Sequence, residues 1–174
     1  SRGRGSAAPD SQLKHYYQQL NHLSAALAVA TDVSLAVLGG NLKRKESLSA
    51  RLGDVLSQLY LASCTLRHFE SQHSEDDVPL AKWACTYAVY QAQAALLGLI
   101  DNLPNRPAAM CLRLILFPIG PRYKPPSDQL CHAISTLLLE PSSVRKRLIN
   151  GIYQPQGPDD YLNQLEVALS CCVG

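Results

Sequence analysis

Proline is distributed very unevenly along this chain of 174 residues, and that distribution limits the possible folds more than any other feature. Only Pro9 precedes residue 79, whereas nine of the eleven prolines lie between residues 104 and 158. Because proline lacks the amide hydrogen that a helix interior needs, long helices can form only in the first hundred or so residues. The sequence therefore predicts long helices followed by short helices bounded by proline.

The first proline-poor stretch carries a helical pattern of apolar side chains. We predict a first helix over residues 11–38, with Asp10 or Ser11 as its N-cap and a left-handed cap at Gly39 and Gly40. Steps of three and four residues place the apolar side chains on one face. The members of this stripe are Leu13, Tyr16, Leu20, Leu23, Leu27 and Ala30.

Two further stripes with the same spacing predict a second and a third long helix. The second begins after an N-cap at Ser47 and ends in the polar segment SQHSEDD, and the third begins at Pro79, behind Asp77, and ends near Leu103. Long helices joined by short polar turns are typical of antiparallel bundle neighbours. The stripes are Leu48, Leu52, Val55, Leu59, Ala62, Leu66 and Phe69, and then Leu80, Trp83, Tyr87, Tyr90, Ala94 and Leu97.

After residue 103 the prolines divide the chain into short segments. We predict helices near residues 107–117, 128–139, 141–149 and 158–171, with start signals at Pro107, Ser127, Pro141 and Pro158. Helices of this length are marginal in isolation, so we expect them to dock on the long helices.

The apolar share of 47% is rich in Ala and Leu and only 6% of residues are aromatic, which favours helices over strands. The predicted fold is therefore all-α: a bundle of three long antiparallel helices with several short helices docked on it. We expect residues 11–174 to form one domain and residues 1–10, SRGRGSAAPD, to be a cloning scar or a flexible junction.

Charge, hydropathy and cysteine spacing exclude several classes of protein. The net charge is +2, and without the opening segment, which contains Arg2 and Arg4, it is close to zero, so the rest of the chain offers no electrostatic footprint for nucleic acid. The most apolar stretches, LSAALAVA and AALLGLI, are shorter than the roughly 20 residues of a membrane span, so we expect none. The six cysteines lack Cys-x-x-Cys spacing, which favours reduced thiols in the cytosol over disulfides.

The segment FPIGPRYKPPSD, residues 117–128, follows a predicted short helix and contains four prolines and a glycine. Pro118 ends the preceding helix and Gly120 permits a turn of the backbone. Pro125 and Pro126 force an extended backbone conformation, and Ser127 caps the next helix. The sequence therefore predicts a structural joint. Its residues are Phe117, Pro118, Gly120, Pro125, Pro126, Ser127 and Asp128.

Three blocks of sequence carry a resemblance to a known family. They are LGGNLKRKESLSARLGDVLSQLYLASCTLRHFE, FPIGPRYKPPSDQL and LLLEPSSVRKRLINGIY, in that order. Their order and spacing resemble the C-terminal extension domain of the long bacterial acyl-CoA dehydrogenases of the FadE kind. The resemblance covers residues 11–170, and the ending LEVALSCCVG is its weakest part.

The resemblance implies a parent enzyme that uses FAD to remove two hydrogens from a fatty acyl-CoA, the first step of β-oxidation. In that family the catalytic carboxylate and the main flavin contacts belong to the dehydrogenase core, so no catalytic or cofactor-binding residue is assigned in this chain. The implied partners are the core of the same chain and a second copy in a homodimer, with fatty acyl-CoA as the parent's substrate. A cytoplasmic location is implied, and peripheral contact with the inner membrane is an open alternative.

No dinucleotide-binding glycine motif, phosphate-binding loop or nucleophile elbow occurs in the sequence. His15 and His22 are seven residues apart, too far for chelation across one helical turn, so we assign no metal ligands. The aromatic stripe Trp83, Tyr87 and Tyr90 is assigned to the core, with an acyl-chain groove as the alternative.

The segment ARLGD supplies three candidate interface residues: Arg51, Gly53 and Asp54. Glycine costs about 1 kcal/mol relative to alanine inside a helix and therefore suggests a packing reason. Either another helix of this domain crosses at Gly53, or a second protein surface approaches there and pairs with Arg51 and Asp54.

Three cations near the joint form a second candidate site: Arg113, Arg122 and Lys124. No acidic residue occurs between them before Asp128, and the amides at the start of the next helix could add to an anion site. A purely structural joint is the leading alternative. Lys43, Arg44 and Lys45 follow a predicted helix C-terminus, where the helix dipole favours cations, and could instead meet anionic lipid or the phosphates of CoA.

Three functions therefore remain open. The first is an accessory domain that packs on the dehydrogenase core or on its copy in a dimer. The second is a free-standing helical adaptor, which we disfavour because we expect no exposed apolar face beyond the bundle seam. The third is a domain that supplies part of the acyl or flavin pocket.

Overall fold

The computed structural model describes residues 13–72, 74–140, 142–153, 157 and 160–173. These residues form α-helices and short 3-10 turns with no strand among them, so the predicted all-α class is confirmed. Seven α-helices are present in this part of the chain: α1 Lys14–Leu38, α2 Glu46–Gln72, α3 Val78–Asn102, α4 Arg106–Leu116, α5 Asp128–Leu139, α6 Ser143–Leu148 and α7 Tyr161–Val173.

The chain divides into two compact units, residues 1–126 and 127–174. The first unit contains α1 to α4, and the second contains α5 to α7. The prediction of one domain over residues 11–174 stays a prediction.

Two adjacent tyrosines define how the long helices of the first unit are arranged. The Tyr16 hydroxyl bonds to Thr86 Oγ1 at 2.7 Å, near the start of α3. The Tyr17 hydroxyl donates to Glu70 Oε1 at 2.6 Å, near the end of α2. The start of α1 therefore lies beside the start of α3 and the end of α2, so α2 runs antiparallel to both.

The predicted stripes of α1 and α2 form the core of this bundle. Leu13, Tyr16, Leu20, Leu23 and Ala30 are buried, although Ala26 rather than Leu27 is the buried member in the middle of α1. In α2 the whole predicted stripe is buried except Leu52, which is half-buried and packs against the core.

The predicted stripe of α3 is wrong. Tyr87 is exposed, and Trp83 and Tyr90 are only half-buried, so the aromatic stripe does not belong to the core. The Trp83 and Tyr87 rings stack on each other instead, with their centroids 5.3 Å apart. The buried stripe lies on another face: Val78, Ala81, Cys85, Ala88, Ala92, Leu96 and Leu99.

Small side chains explain why α3 turns this face inward. The Cys85 sulfur lies 4.0 Å from the Ala62 carbonyl oxygen, so α2 and α3 approach closely where both carry small residues. Close approach of two long helices buries more apolar surface along their length than a stripe of bulky rings could. The α2 and α3 pair is accordingly the most extensive helix contact in the structure.

Helix ends follow the predictions only in part. α2 begins at Glu46, so Ser47 lies inside the helix rather than at its N-cap. Gly39 follows α1 with a φ of 52° but a ψ of −133°, which is outside the left-handed helical region that we predicted. The predicted caps Asp10 and Ser11 lie outside the described residues.

In the second unit each helix has a polar N-cap. The hydroxyls of Ser127 and Ser142 accept from Leu130 N and Arg145 N, and Asp160 accepts from Leu162 N at 3.0 Å. Arg145 forms an ion pair with Glu166 at 2.8 Å that connects α6 to α7. The start signals Pro141 and Pro158 lie outside the described residues.

By length and composition, the helical segment of residues 14–44 could cross a membrane, contrary to our sequence-based expectation. Core helices of globular proteins pass the same test of length and hydropathy, and α1 contributes Leu20, Leu23 and Ala30 to the bundle core. Its apolar character is therefore accounted for in part by packing within the first unit.

Cys85 gives the core a measurable dependence on pH. Burial raises the pKa of this thiol to about 12 from an ordinary value of 9.0. Below pH 9 the thiol is protonated in both states, but between pH 9 and 12 the unfolded chain loses the proton while the folded chain keeps it. Stability should therefore fall as pH rises through this window.

We predict that the free energy of unfolding decreases more steeply between pH 9 and 11 in the unmodified chain than in Cys85→Ala, by up to about 1.4 kcal/mol per pH unit. Denaturant titrations at several pH values measure the difference, and the exposed Cys64→Ala variant is the control. Parallel curves for the unmodified chain and Cys85→Ala would contradict the prediction.

Candidate functional site

Gln93 is a buried polar residue on α3 that holds the chain after Pro121 in place. It is only 2% exposed. Its side-chain oxygen accepts from the backbone amides of Arg122, at 2.7 Å, and Tyr123, at 3.0 Å, while its nitrogen donates to the Tyr123 carbonyl at 2.9 Å. These three bonds satisfy backbone groups that have no helix or sheet to bond them.

A second group of contacts positions the same segment. Gly120 has a φ of 89°, and its amide donates to the Phe117 carbonyl at 3.0 Å, which reverses the chain after α4. The Tyr123 hydroxyl then bonds to His22 Nδ1 on α1 at 3.3 Å. Residues 117–126 thus form a strap that is attached to both α1 and α3.

A cavity of about 310 Å³ opens beside this strap. Three elements build its wall: the first turns of α1, the middle of α3 and the strap. The lining residues are His15, Tyr16, Gln19, Thr86, Val89, Arg122, Tyr123, Lys124 and Pro125. We call this the strap cavity.

Two hydroxyl groups that line the strap cavity, those of Tyr16 and Thr86, form hydrogen bonds within the protein. The Tyr16 hydroxyl donates to the Lys82 carbonyl at 3.2 Å and bonds to Thr86 Oγ1 at 2.7 Å. Burial raises the pKa of Tyr16, so its hydroxyl stays neutral at physiological pH. If Tyr16 donates to Lys82, Thr86 must donate to Tyr16, and neither hydroxyl keeps a hydrogen for a ligand.

The charged side chains among the described residues that line the strap cavity, Arg122 and Lys124, are both cations. Arg122 and Lys124 are exposed and line it together with His15, whose ring packs beside that of Tyr16 at 3.9 Å. No carboxylate is among the described lining residues. Two cations two residues apart, without an acid beside them, produce a local positive potential.

Arg113, the third predicted cation, lies elsewhere. It pairs with Asp101 of α3 at 3.0 Å, and both side chains are about half exposed. Our expectation that the three cations surround the joint without an acid is therefore wrong for Arg113, because Asp101 comes from an earlier helix. A pair this exposed contributes little to stability, of the order of 0–1 kcal/mol.

Arg51 also has a partner inside the first unit. Its side chain lies over Gly98 of α3, where an added Cβ would meet Arg51 Nε at 3.0 Å. It lines a second cavity, of about 460 Å³, with Arg44, Lys45 and Glu46 among its walls. Gly98, rather than the predicted Gly53, is the glycine at which another side chain approaches closely.

Gly53 and Asp54 are both exposed on the surface of α2. A Cβ added at Gly53 would meet no heavy atom within 4 Å, so none of the described helices of this unit crosses there. Four exposed side chains continue this side along the helix: Leu56, Tyr60, Leu61 and Cys64. We call these residues, with Gly53, the outer face of α2.

The outer face corrects an argument made from the sequence. Leu56 is 60% exposed and Tyr60 is 68% exposed. Residues 53, 56, 60 and 64 follow helical spacing and lie outside the buried stripe of α2. The chain therefore does present an exposed apolar helix face beyond the bundle seam, and its expected absence cannot be used against an adaptor.

Gln93 was missed in the sequence because a single glutamine inside an apolar helix gives no local signal of burial. Its neighbours Ala92 and Leu96 do mark a buried face, and a polar residue on such a face calls for a partner. Among the described residues, no group of three or more His, Cys, Asp or Glu side chains is arranged to hold a metal ion.

Comparison with known families gives one match over nearly the whole chain. Residues 1–173 match the family model described as acyl-CoA dehydrogenase, C-terminal, bacterial type. No solved structure matches the chain.

We predict that Gln93→Leu lowers the free energy of unfolding by about 2–3 kcal/mol, because two amides and a carbonyl lose their partner in a partly buried place. Chemical denaturation measures the loss, and hydrogen exchange at Arg122 and Tyr123 should accelerate in the same variant. Gln18→Leu, at an exposed position of α1, is the matched control and should change stability by less than about 0.5 kcal/mol. Unchanged hydrogen exchange at the Arg122 and Tyr123 amides would contradict the conclusion that Gln93 holds this segment in place.

Proposed function

The chain belongs to the bacterial-type C-terminal domain family of acyl-CoA dehydrogenases, and we propose that it serves its parent enzyme as a noncatalytic, architectural domain. The proposed parent uses FAD to oxidise a fatty acyl-CoA in the first step of β-oxidation. In this proposal the flavin and the catalytic base belong to the dehydrogenase core.

The outer face of α2 is the observation that carries the architectural role. A helix of a bundle ordinarily has one apolar face, and α2 already buries one against α1 and α3. Leu56, Tyr60 and Leu61 on the second apolar face are each more than half exposed among the described residues of the first unit. Contiguous exposed apolar residues on a folded domain commonly mark a protein contact.

We propose that the dehydrogenase core of the same chain covers this face. A free partner would need an interface of roughly 1,000 Å² or more to bind stably, and the outer face is a narrow strip. Covalent linkage raises the effective concentration of the core at this face to the millimolar range, so a small apolar contact is enough to keep the two associated. Gly53 lets the partner backbone approach α2 closely, and the exposed carboxylate of Asp54 borders the strip.

The proposed location is the cytoplasm, where the parent's substrate is consumed. The parent is proposed to act as a homodimer. Peripheral contact with the inner membrane is the alternative to a purely cytoplasmic location, and membrane fractionation of the parent tests it. Cys64, Cys85, Cys111, Cys171 and Cys172 are present as thiols in the structure, which suits a reducing compartment.

We predict that the isolated chain binds no stoichiometric FAD and does not oxidise acyl-CoA, whereas the parent enzyme does both. Flavin absorbance of the purified chain and acyl-CoA-dependent dye reduction by the parent measure these properties. Deleting the domain from the parent should reduce solubility or dimerisation more than it changes the flavin spectrum. A yellow isolated chain, or turnover by it, would refute the noncatalytic role.

We predict that Leu56→Lys leaves the stability of the isolated chain within about 0.5 kcal/mol, because the side chain is exposed there. In the parent enzyme the same change should increase hydrogen exchange and proteolytic cleavage of α2, because the core no longer covers it. Leu35→Lys, at an exposed position of α1, is the matched control. If the isolated chain dimerises and Leu56→Lys abolishes the dimer, a second copy and not the core is the partner.

A further inference from the structure

We propose that the strap cavity binds a phosphate group. This inference is independent of the proposed function, because it rests on the geometry and charge of a cavity within the first unit. The ligand is held between the Arg122 guanidinium and the Lys124 ammonium, with the His15 imidazole as a third neighbour.

A buried anchor fixes the backbone segment that carries the two cations. Gln93 bonds the backbone at Arg122 and Tyr123 on both the amide and carbonyl sides. Tyr123 is further tied to His22, so the strap is attached on both sides of the cavity. A backbone held in this way places Arg122 and Lys124 at one wall before any ligand arrives, which reduces the entropy lost on binding.

Electrostatics favours an anion beside Arg122 and Lys124. Arg122 and Lys124 have no carboxylate partner among the described residues, in contrast to Arg113 with Asp101 and Arg145 with Glu166. A phosphate dianion between the two cations would relieve their mutual repulsion. A guanidinium can bind two phosphate oxygens at once, and an ammonium adds a compact point charge.

The hydroxyl groups that line the strap cavity favour an anion over a neutral ligand. With Tyr16 donating to Lys82 and Thr86 donating to Tyr16, both hydroxyl hydrogens are used within the protein and neither is left for a ligand. Recognition must therefore come from charge rather than from a set of hydroxyl contacts, which favours an anion over a neutral sugar. The volume of about 310 Å³ is at the lower end of small-molecule sites and leaves room for a substituent on the phosphate.

The second basic cavity is a weaker candidate. Glu46 is in its wall and offsets part of the charge of Arg44 and Lys45. Arg51 is already engaged over Gly98 and donates to the Ser47 carbonyl in a long bond of 3.5 Å. The strap cavity is therefore the better assignment for an anion.

The test is an NMR titration of the 174-residue chain with inorganic phosphate, with chloride keeping the ionic strength constant. We expect saturable shifts at the amides of Thr86, Arg122 and Tyr123. Arg122→Gln and Lys124→Gln should each weaken binding about three- to tenfold, as expected for one partly exposed charged contact. The double variant should lose saturation.

The matched control is Lys43→Gln, which removes one exposed positive charge that lines neither cavity. It should bind phosphate within about twofold of the unmodified chain, since a remote surface charge is largely screened. Equal weakening in Lys43→Gln and Lys124→Gln would show nonspecific attraction and overturn the proposal. Linear, unsaturated shifts spread over the cationic surface would overturn it too.

A parallel titration with adenosine 3′,5′-bisphosphate distinguishes the source of the phosphate. Tighter binding than inorganic phosphate, again lost in the double variant, would support the site and assign it to a nucleotide-borne phosphate such as that of CoA. Equal affinity would support the site and assign it to free phosphate. Because neither titration involves flavin or dehydrogenation, failure here leaves the proposed function untouched.

Discussion

The close packing of α2 against α3 is the constraint on which the rest of the first unit depends. It requires small residues at the contact, and Ala62 and Cys85 provide them. This choice of face determines the direction of every other side chain on α3. It turns Trp83 and Tyr87 toward the surface, buries Gln93 and brings Gly98 under Arg51.

Gln93 shows how a buried polar residue can organise a segment that has no regular structure. The strap is rich in proline, so it cannot satisfy its remaining backbone groups by forming a helix or a strand. A side-chain amide offers both an acceptor and a donor, which matches the two amides and one carbonyl at Arg122 and Tyr123. A carboxylate would accept from the amides but would repel the carbonyl, so the pattern of bonds requires a side-chain amide.

Much of the fold could be predicted from the sequence, because helical spacing and proline positions are local signals. The stripes of α1 and α2 and the Ser127 cap are examples. The α3 stripe could not be predicted reliably, since ranking residues by size favoured Trp83 and Tyr87 over the alanines that permit close approach. The candidate site could be predicted only in part for a related reason. Arg122 and Lys124 lie two residues apart in the sequence, but tertiary packing brings the Gln93 anchor to the strap and Asp101 to Arg113.

The adjacent tyrosines at the start of α1 have a mechanical consequence. Tyr16 is bonded to α3 and Tyr17 to α2, within one turn of the first described residue, Leu13. A pull applied through the residues before Leu13 would load both bonds at once, along with the buried side chains of Leu13 and Tyr16. Displacing the start of α1 from either neighbour would break one of these hydrogen bonds and expose part of the surface that Leu13 and Tyr16 bury. A load on the start of α1 would therefore be shared between α2 and α3.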